Sequence, residues 1–212
     1  SFQMSVEVER KFICTDETLR ILEQTAGEQR EFHDQYFDTA DFGLTLQDFW
    51  LRKRKGSWEL KCPMSRGQAK VEALCTRYRE ITDLAEIQLR VREVLKDEGD
   101  ESETQDEMWI NELNLKCFAE FTTIRRSFTL KEDAVQVDLD QADFGYSVGE
   151  IEVLVSEGRD VLSALEKIEK AAQKLGLTGN QKIPGKMYIY LQRYLPKHYD
   201  ALMKTKPGLN KA

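Results

Sequence analysis

Apolar and charged side chains alternate along Val6-Glu7-Val8-Glu9-Arg10-Lys11-Phe12, and the alternation returns at intervals through the chain. In a β-strand successive side chains point to opposite faces, so Glu7, Glu9 and Lys11 share one face while Val6, Val8 and Phe12 share the other. The pattern predicts strands over 4–13, 32–38, 48–55, 57–62, 76–82, 118–131, 134–140 and 148–155. Gly56 and the run Lys131-Glu132-Asp133 fall between consecutive strands, at hairpin positions. A 3.6-residue period predicts helices over 15–26, 83–96 and 160–175. The last carries Leu162, Leu165, Ile168, Ala172 and Leu175 on one stripe, with Gly176 as its C-cap. Gly185 to Leu195 reads as a further helix, interrupted by Pro196. Many strands, few helices and no βαβ alternation give an α+β fold built on an antiparallel sheet.

Parity sharpens this picture. Trp50, Arg52 and Arg54 share a face; Glu59 and Lys61 oppose Trp58 and Leu60; the acids of Val135-Gln136-Val137-Asp138-Leu139-Asp140 oppose its apolar residues; and Glu150 and Glu152 oppose Ile151, Val153 and Val155. An open sheet would turn such charges to bulk water, whereas a closed barrel would gather them in its lumen. The polar faces lack the mixed Ser, Thr, Gln and Asn of a solvated surface, and like charges recur at i and i+2. Two unit charges about 4 Å apart repel by roughly 4 kcal/mol at an effective dielectric near 20. The doublets Glu7/Glu9, Arg52/Arg54 and Glu150/Glu152 therefore await counter-ions. We expect a closed antiparallel β-barrel with a charged lumen and helices packed outside, as one domain over 5–195.

The chain has 212 residues, 41% of them hydrophobic and 33% charged, enough for a real core. No apolar run approaches membrane-spanning length and no signal peptide is visible, so a cytoplasmic monomer without membrane contact is the expectation. Ser1-Phe2-Gln3 before Met4 reads as an expression remnant. Cys14, Cys62, Cys75 and Cys117 lack metal-type spacing and read as free thiols in a reducing compartment. The net charge of −7 argues against a nucleic-acid partner. Asp97, Glu98, Asp100, Glu101, Glu103, Asp106 and Glu107 account for all of it, and 97–107 reads as an acidic, mobile, solvated loop. The tail 204–212 reads as frayed.

In chain order, Glu7-x-Glu9-x-Lys11, Tyr36-Phe37-Asp38-Thr39, Arg52-x-Arg54, Lys61, Tyr78-x-Glu80, Arg125, Asp138, Glu150-x-Glu152 and Lys186 form a set that resembles the CYTH superfamily, the triphosphate tunnel metalloenzymes. The stretches Trp50-Leu51-Arg52, Trp58-Glu59-Leu60-Lys61-Cys62-Pro63, Val137-Asp138-Leu139-Asp140, Ala142-Asp143-Phe144-Gly145-Tyr146 and Tyr190-Leu191-Gln192-Arg193 are similar to its animal thiamine triphosphatase branch. The segments between Lys61 and Tyr78 and over 97–107 depart from that pattern. The resemblance implies a tunnel that hydrolyses thiamine triphosphate to the diphosphate and phosphate.

It further implies that Lys11, Arg52, Arg54, Lys61, Arg125 and Lys186 bind the substrate's phosphates, arginine by bidentate contact and lysine as a point charge. Arg125 is preferred to Arg126 because it aligns without a gap, and Lys186 lies on no strand, so parity does not orient it. Trp50, expected near a tunnel mouth, would stack on the cationic thiazolium. Glu7, Glu9, Asp138, Glu150 and Glu152 are the metal candidates, an all-oxygen set suited to Mg²⁺ or Mn²⁺. Glu9 alternatively neutralises a neighbouring cation. Glu80, Glu150 and Glu152 are the candidates for orienting the attacking water. Asp140 and Asp143 read as turn or rim residues, and neither His33 nor His198 sits in a catalytic context. There is no P-loop. The same tunnel suits an inorganic triphosphatase or a class IV adenylate cyclase, and a polyphosphate-binding module is the non-enzyme alternative.

Overall fold

The computed structural model describes residues 5–64, 74–97, 107–156 and 161–205. Alternation becomes strand at β1 (Ser5–Phe12), β2 (Gly27–Asp38), β3 (Trp50–Arg54), β4 (Ser57–Pro63), β5 (Cys75–Ile81), β6 (Lys116–Leu130), β7 (Val135–Ala142) and β8 (Tyr146–Ser156). These close into a barrel in the order β1-β5-β4-β3-β2-β6-β7-β8, with β8 returning to β1 and every pair antiparallel. The β3–β4 hairpin turns on Lys55 and Gly56, both at positive φ (52° and 77°), the conformation of a two-residue turn whose twist matches the strands.

Two of the three apolar clusters lie outside the barrel, and the third caps its lumen. The outward residues Val6, Val8, Val137, Ile151 and Val153 pack beneath α4 (Val161–Lys174), whose Leu165, Ile168 and Ala172, with Leu175 just beyond it, form the expected stripe, while Leu162, expected on it, is exposed in the helix's first turn. The α1 helix (Asp16–Leu22) joins this cluster through Leu22, and its Thr18 hydroxyl donates to the Leu175 carbonyl at 2.8 Å. Leu51, Trp58, Leu60 and Ile81 lie beneath α2 (Leu84–Leu95) and α3 (Met108–Glu112), meeting Ile87, Val91 and Trp109. A third cluster joins Tyr36, Trp50 and Phe121 to Leu191 of α5 (Lys186–Tyr194) and to Leu202 and Met203 of α6 (Pro196–Thr205). Each fully buried large apolar side chain contributes about 1.5–3 kcal/mol. Burial on the outside therefore pins the polar face inward.

Several boundaries differ from the sequence expectation. β2 begins at Gly27 rather than 32, because β6 pairs with it over its whole length. The first helix ends at Leu22, not 26. Pro196 does not end helical structure but starts α6, where a fixed φ and a missing N–H are tolerated at the first position. The short α3 follows the acidic run and was not expected. Residues 98–106 of that run, 206–212 of the tail and 1–4 lie outside the described residues. Glu107, at the end of the run, forms an ion pair with Lys53. No helix among the described residues is long and apolar enough to cross a membrane.

Candidate active site

A cavity of about 1110 Å³ runs through the barrel. Its wall holds the residues that parity assigned inward, Glu7, Glu9 and Lys11 from β1, Arg52 and Arg54 from β3, Glu59 and Lys61 from β4, and Glu150 and Glu152 from β8, together with Glu80 of β5 and Arg125 of β6, which the resemblance supplied. Lys186, the first residue of α5, also reaches the lumen, donating to Asp140 Oδ2 at 2.8 Å and Thr123 Oγ1 at 3.1 Å. Arg125 faces inward; Arg126 faces out, pairing with Glu23. Asp138 is on the luminal side of β7 but sits deeper in the wall, 1% exposed, accepting from Ser127 at 2.7 Å and Gln136 at 3.1 Å.

The lumen has two poles. On one side Arg54 makes a bidentate pair with Asp34 (2.6 and 2.7 Å), and Arg125 makes another with Asp140 (2.7 and 2.9 Å). Arg125 and Lys186 together hold the Asp140 carboxyl down at about 2, against the upward push of burial. Burial outweighs the carboxylate's help at Lys186, which lies below its usual value with Arg125 adding to the depression. Arg52 bonds Glu59 from Nε at 2.7 Å and lies 3.8 Å from Glu80.

On the other side the acids crowd one another. The register sets Glu9 opposite Glu152, Lys11 opposite Glu150, Asp138 opposite Glu150, and Lys61 opposite Glu80. Lys61 bridges Glu7 at 3.0 Å and Glu9 at 3.8 Å, and Lys11 also lies 3.8 Å from Glu9. Burial and the neighbouring Glu7 push Glu80 up to about 8. Burial, Glu7 and Glu9 push Glu152 up to about 7, and burial with Glu9 raises Glu150 well above the ordinary range. The Lys11 and Lys61 ammoniums hold Glu9 low despite its burial. Glu80, Glu150 and Glu152 are raised because burial and facing negative charges both disfavour their ionised forms.

Glu9 Oε2 and Asp138 Oδ2 are buried without a hydrogen-bond partner. Asp138 Oδ2 has only a 3.5 Å ion pair with Arg125, and such under-satisfied oxygens in an all-carboxylate set fit a hard divalent cation. No group of three or more acidic, His or Cys side chains among the described residues is gathered as a preformed cage.

One end of the cavity is aromatic. Trp50 is 7% exposed, its Nε1 donating to Asp48 Oδ1 at 2.9 Å, and the Tyr78 hydroxyl donates to the same oxygen at 2.8 Å. Tyr188 of α5 meets the Trp50 ring edge-on at 5.8 Å, and Tyr36, Met187, Tyr199 and Met203 complete the chamber. The open mouth expected at Trp50 is thus a chamber roofed by α5 and α6.

Asp140 is a correction: β7 continues to Ala142, so Asp140 keeps the inward parity of Asp138 instead of entering a turn. Asp143 does lie in the turn, where it accepts from the Thr122 N–H. Sequence reasoning also missed Asp34, Tyr36 and Phe32. The alternation that would have found them, Phe32-x-Asp34-x-Tyr36, was present but was not assigned a face.

The sequence profile of the CYTH domain matches residues 5–186. The chain belongs to the CYTH family. Two curated relatives are similar along almost the full length. The human thiamine-triphosphatase is 39% identical over 211 residues, covering 94% of this chain and 90% of that protein. The Macaca fascicularis thiamine-triphosphatase is 38% identical over 215 residues with the same coverage. Among solved structures, the PH1819 protein of Pyrococcus horikoshii OT3 shares the CYTH tunnel fold at a TM-score of 0.58 and 21% identity, covering 90% of this chain and 99% of that one. HpAC1 of Hippeastrum, reported with a dominant triphosphatase activity, matches at a TM-score of 0.54 and 13% identity, covering 92% and 97%.

Proposed function

We propose that this chain hydrolyses the terminal phosphoanhydride of thiamine triphosphate, giving thiamine diphosphate and inorganic phosphate, with Mg²⁺ or Mn²⁺ as cofactor. One observation carries the reading: the lumen of the closed barrel holds a cation pole, a carboxylate pole and an aromatic chamber together. The names and coverage of the human and macaque relatives support the thiamine ester as substrate.

Each pole has a task. Arg52, Arg54, Arg125, Lys11, Lys61 and Lys186 bind and orient the triphosphate, and positioned charge supplies most of the catalysis of phosphoryl transfer. Glu7, Glu9, Asp138, Glu150 and Glu152 would hold the divalent cation, which when bound neutralises phosphate charge as a Lewis acid. Glu80, Glu150 and Glu152, lining the same cavity, would orient the attacking water. The barrel wall and the α5–α6 roof keep bulk water from the anhydride. In the chamber Trp50, fixed by Asp48, is the face offered to the thiazolium, a contact of about 0.5–2 kcal/mol.

Phosphate release with Mg²⁺ from thiamine triphosphate, inorganic triphosphate and ATP in parallel tests this. The thiamine ester should be strongly preferred. Trp50→Ala should lower kcat/KM for it by about two- to thirtyfold while sparing inorganic triphosphate. Preference for bare triphosphate would instead make the protein an inorganic triphosphatase. Release from none of the three would leave a binding module or a cyclase.

A further inference from the structure

Phe32 projects into the lumen from β2 between Arg30 and Asp34 and is only 4% exposed. Around its ring stand four cations from four elements. The centroid lies 3.9 Å from Arg54 Cζ, 4.9 Å from Arg125 Cζ, 5.4 Å from Lys186 Nζ and 5.9 Å from Arg30 Cζ. Phe32 takes four of the cation–ring contacts found among the described residues, more than any other ring.

Carboxylates account for only part of that charge. Asp34 pairs with Arg54, Asp140 is shared by Arg125 and Lys186, and Arg125 also lies 3.5 Å from Asp138, which leaves Arg30. Arg30 makes no ion pair with any described residue. It is exposed at the cavity's edge and lies directly opposite Arg125 across the β2–β6 ladder. Like charges at directly opposed positions are unfavourable. A purely structural wall would not keep them there.

An aromatic face differs from a carboxylate as a partner. Its quadrupole attracts a cation and fixes its place without cancelling its charge. A site for a polyanion needs that combination, cations at set spacing that remain positive. We propose that Phe32 is a positioning residue, the shared platform that spaces the phosphate-facing cations, and that Arg30 is the outermost of these and contacts the polyphosphate chain. The inference rests on the triphosphate reading above and adds two residues to it.

The test measures Mg²⁺-dependent turnover of thiamine triphosphate and inorganic triphosphate. Phe32 is replaced site-specifically by 3,4,5-trifluorophenylalanine, which keeps the ring's shape and removes most of its negative face. KM for both substrates should rise about tenfold, with a smaller change in kcat and an unaltered Tm. Phe32→Leu should behave alike if it folds. Arg30→Gln should raise KM about three- to tenfold and flatten its dependence on salt. A wild-type KM in the trifluoro variant would overturn the platform, and a wild-type KM in Arg30→Gln would overturn the fourth arm. A wild-type protein that hydrolyses neither substrate would instead sink the proposed function, a result visible before any variant is made.

Discussion

At the scale of single residues, His198 shows how one buried proton can be assigned from its neighbours. The Thr45 hydroxyl gives its only hydrogen to Asp38 Oδ2 at 2.6 Å, so it can only accept from His198 Nε2 at 2.7 Å. His198 therefore carries its hydrogen on Nε2 and leaves Nδ1 bare, buried and without a partner. The ring is 2% exposed and stacks on Phe42 at 3.9 Å. Charging it would add an N–H with no acceptor in a dry site, and burial accordingly holds its pKa below the usual 6.5, against the opposing pull of the Asp38 carboxylate. The sign follows directly: below pH 6.5 the unfolded chain takes a proton that the folded one refuses. Stability is then full above pH 6.5 and falls as the pH drops toward the folded pKa, at most by about 1.4 kcal/mol per pH unit. His198→Gln can still donate to Thr45 but does not titrate. Thermal denaturation from pH 7.5 to 5 should show a shallower loss of Tm in the variant, and parallel curves would refute the assignment.

At the scale of elements, the sequence was legible wherever parity had one reading. The inward faces of β1, β3, β4 and β8 follow from residues such as Glu7, Arg52, Lys61 and Glu152, because an outer helix buries every second position. Where a strand ran past its visible alternation, the reading stopped early. Asp34 and Asp140, the partners of Arg54 and Arg125, lie inside the strands expected over 32–38 and 134–140, but an acid at a strand end also reads as a turn residue, and Phe32-x-Asp34-x-Tyr36 carries too few charges to mark its face as luminal. Tertiary pairing with β6 extends both strands beyond those bounds. Lys186 was beyond parity altogether, since its orientation comes from how α5 sits on the barrel. One cross-strand contact now yields a test. Gly149 faces Phe12 across the β1–β8 ladder, and a Cβ there would lie 2.4 Å from the ring's Cζ. The ring covers the bare backbone beneath α4, so Gly149→Ala should cost about 1–3 kcal/mol through overpacking. Urea denaturation checks this, and a variant within a few tenths of wild type would show that Phe12 has room to move.

Across the whole molecule the usual arrangement is largely inverted, with two of three apolar clusters outside the sheet and the ionisable groups inside it. Burying unbalanced charge is unfavourable, and breaking up buried pairs leaves still more of it. In the free protein the acid pole limits that penalty by retaining protons, and the cation pole limits it through Asp34, Asp140 and the Phe32 ring. Neither device is complete: Glu9 Oε2 and Asp138 Oδ2 still lack hydrogen bonds, and Arg30 and Arg125 still face one another. A triphosphate with a divalent cation would answer both poles at once, and neither component alone would do so. Anything that binds only the folded state stabilises it, by about 2.7 kcal/mol at a hundred times its Kd. For a chain of this size about 2–4 °C accompany each kcal/mol. Inorganic triphosphate with Mg²⁺, at saturating concentration and early enough to precede hydrolysis, should therefore raise Tm by about 5–10 °C. Either component alone should give clearly less, and EDTA should abolish the excess. If triphosphate alone gave the full shift, the carboxylate pole would have no part in binding, and the metal assignment to Glu7, Glu9, Asp138, Glu150 and Glu152 would fall.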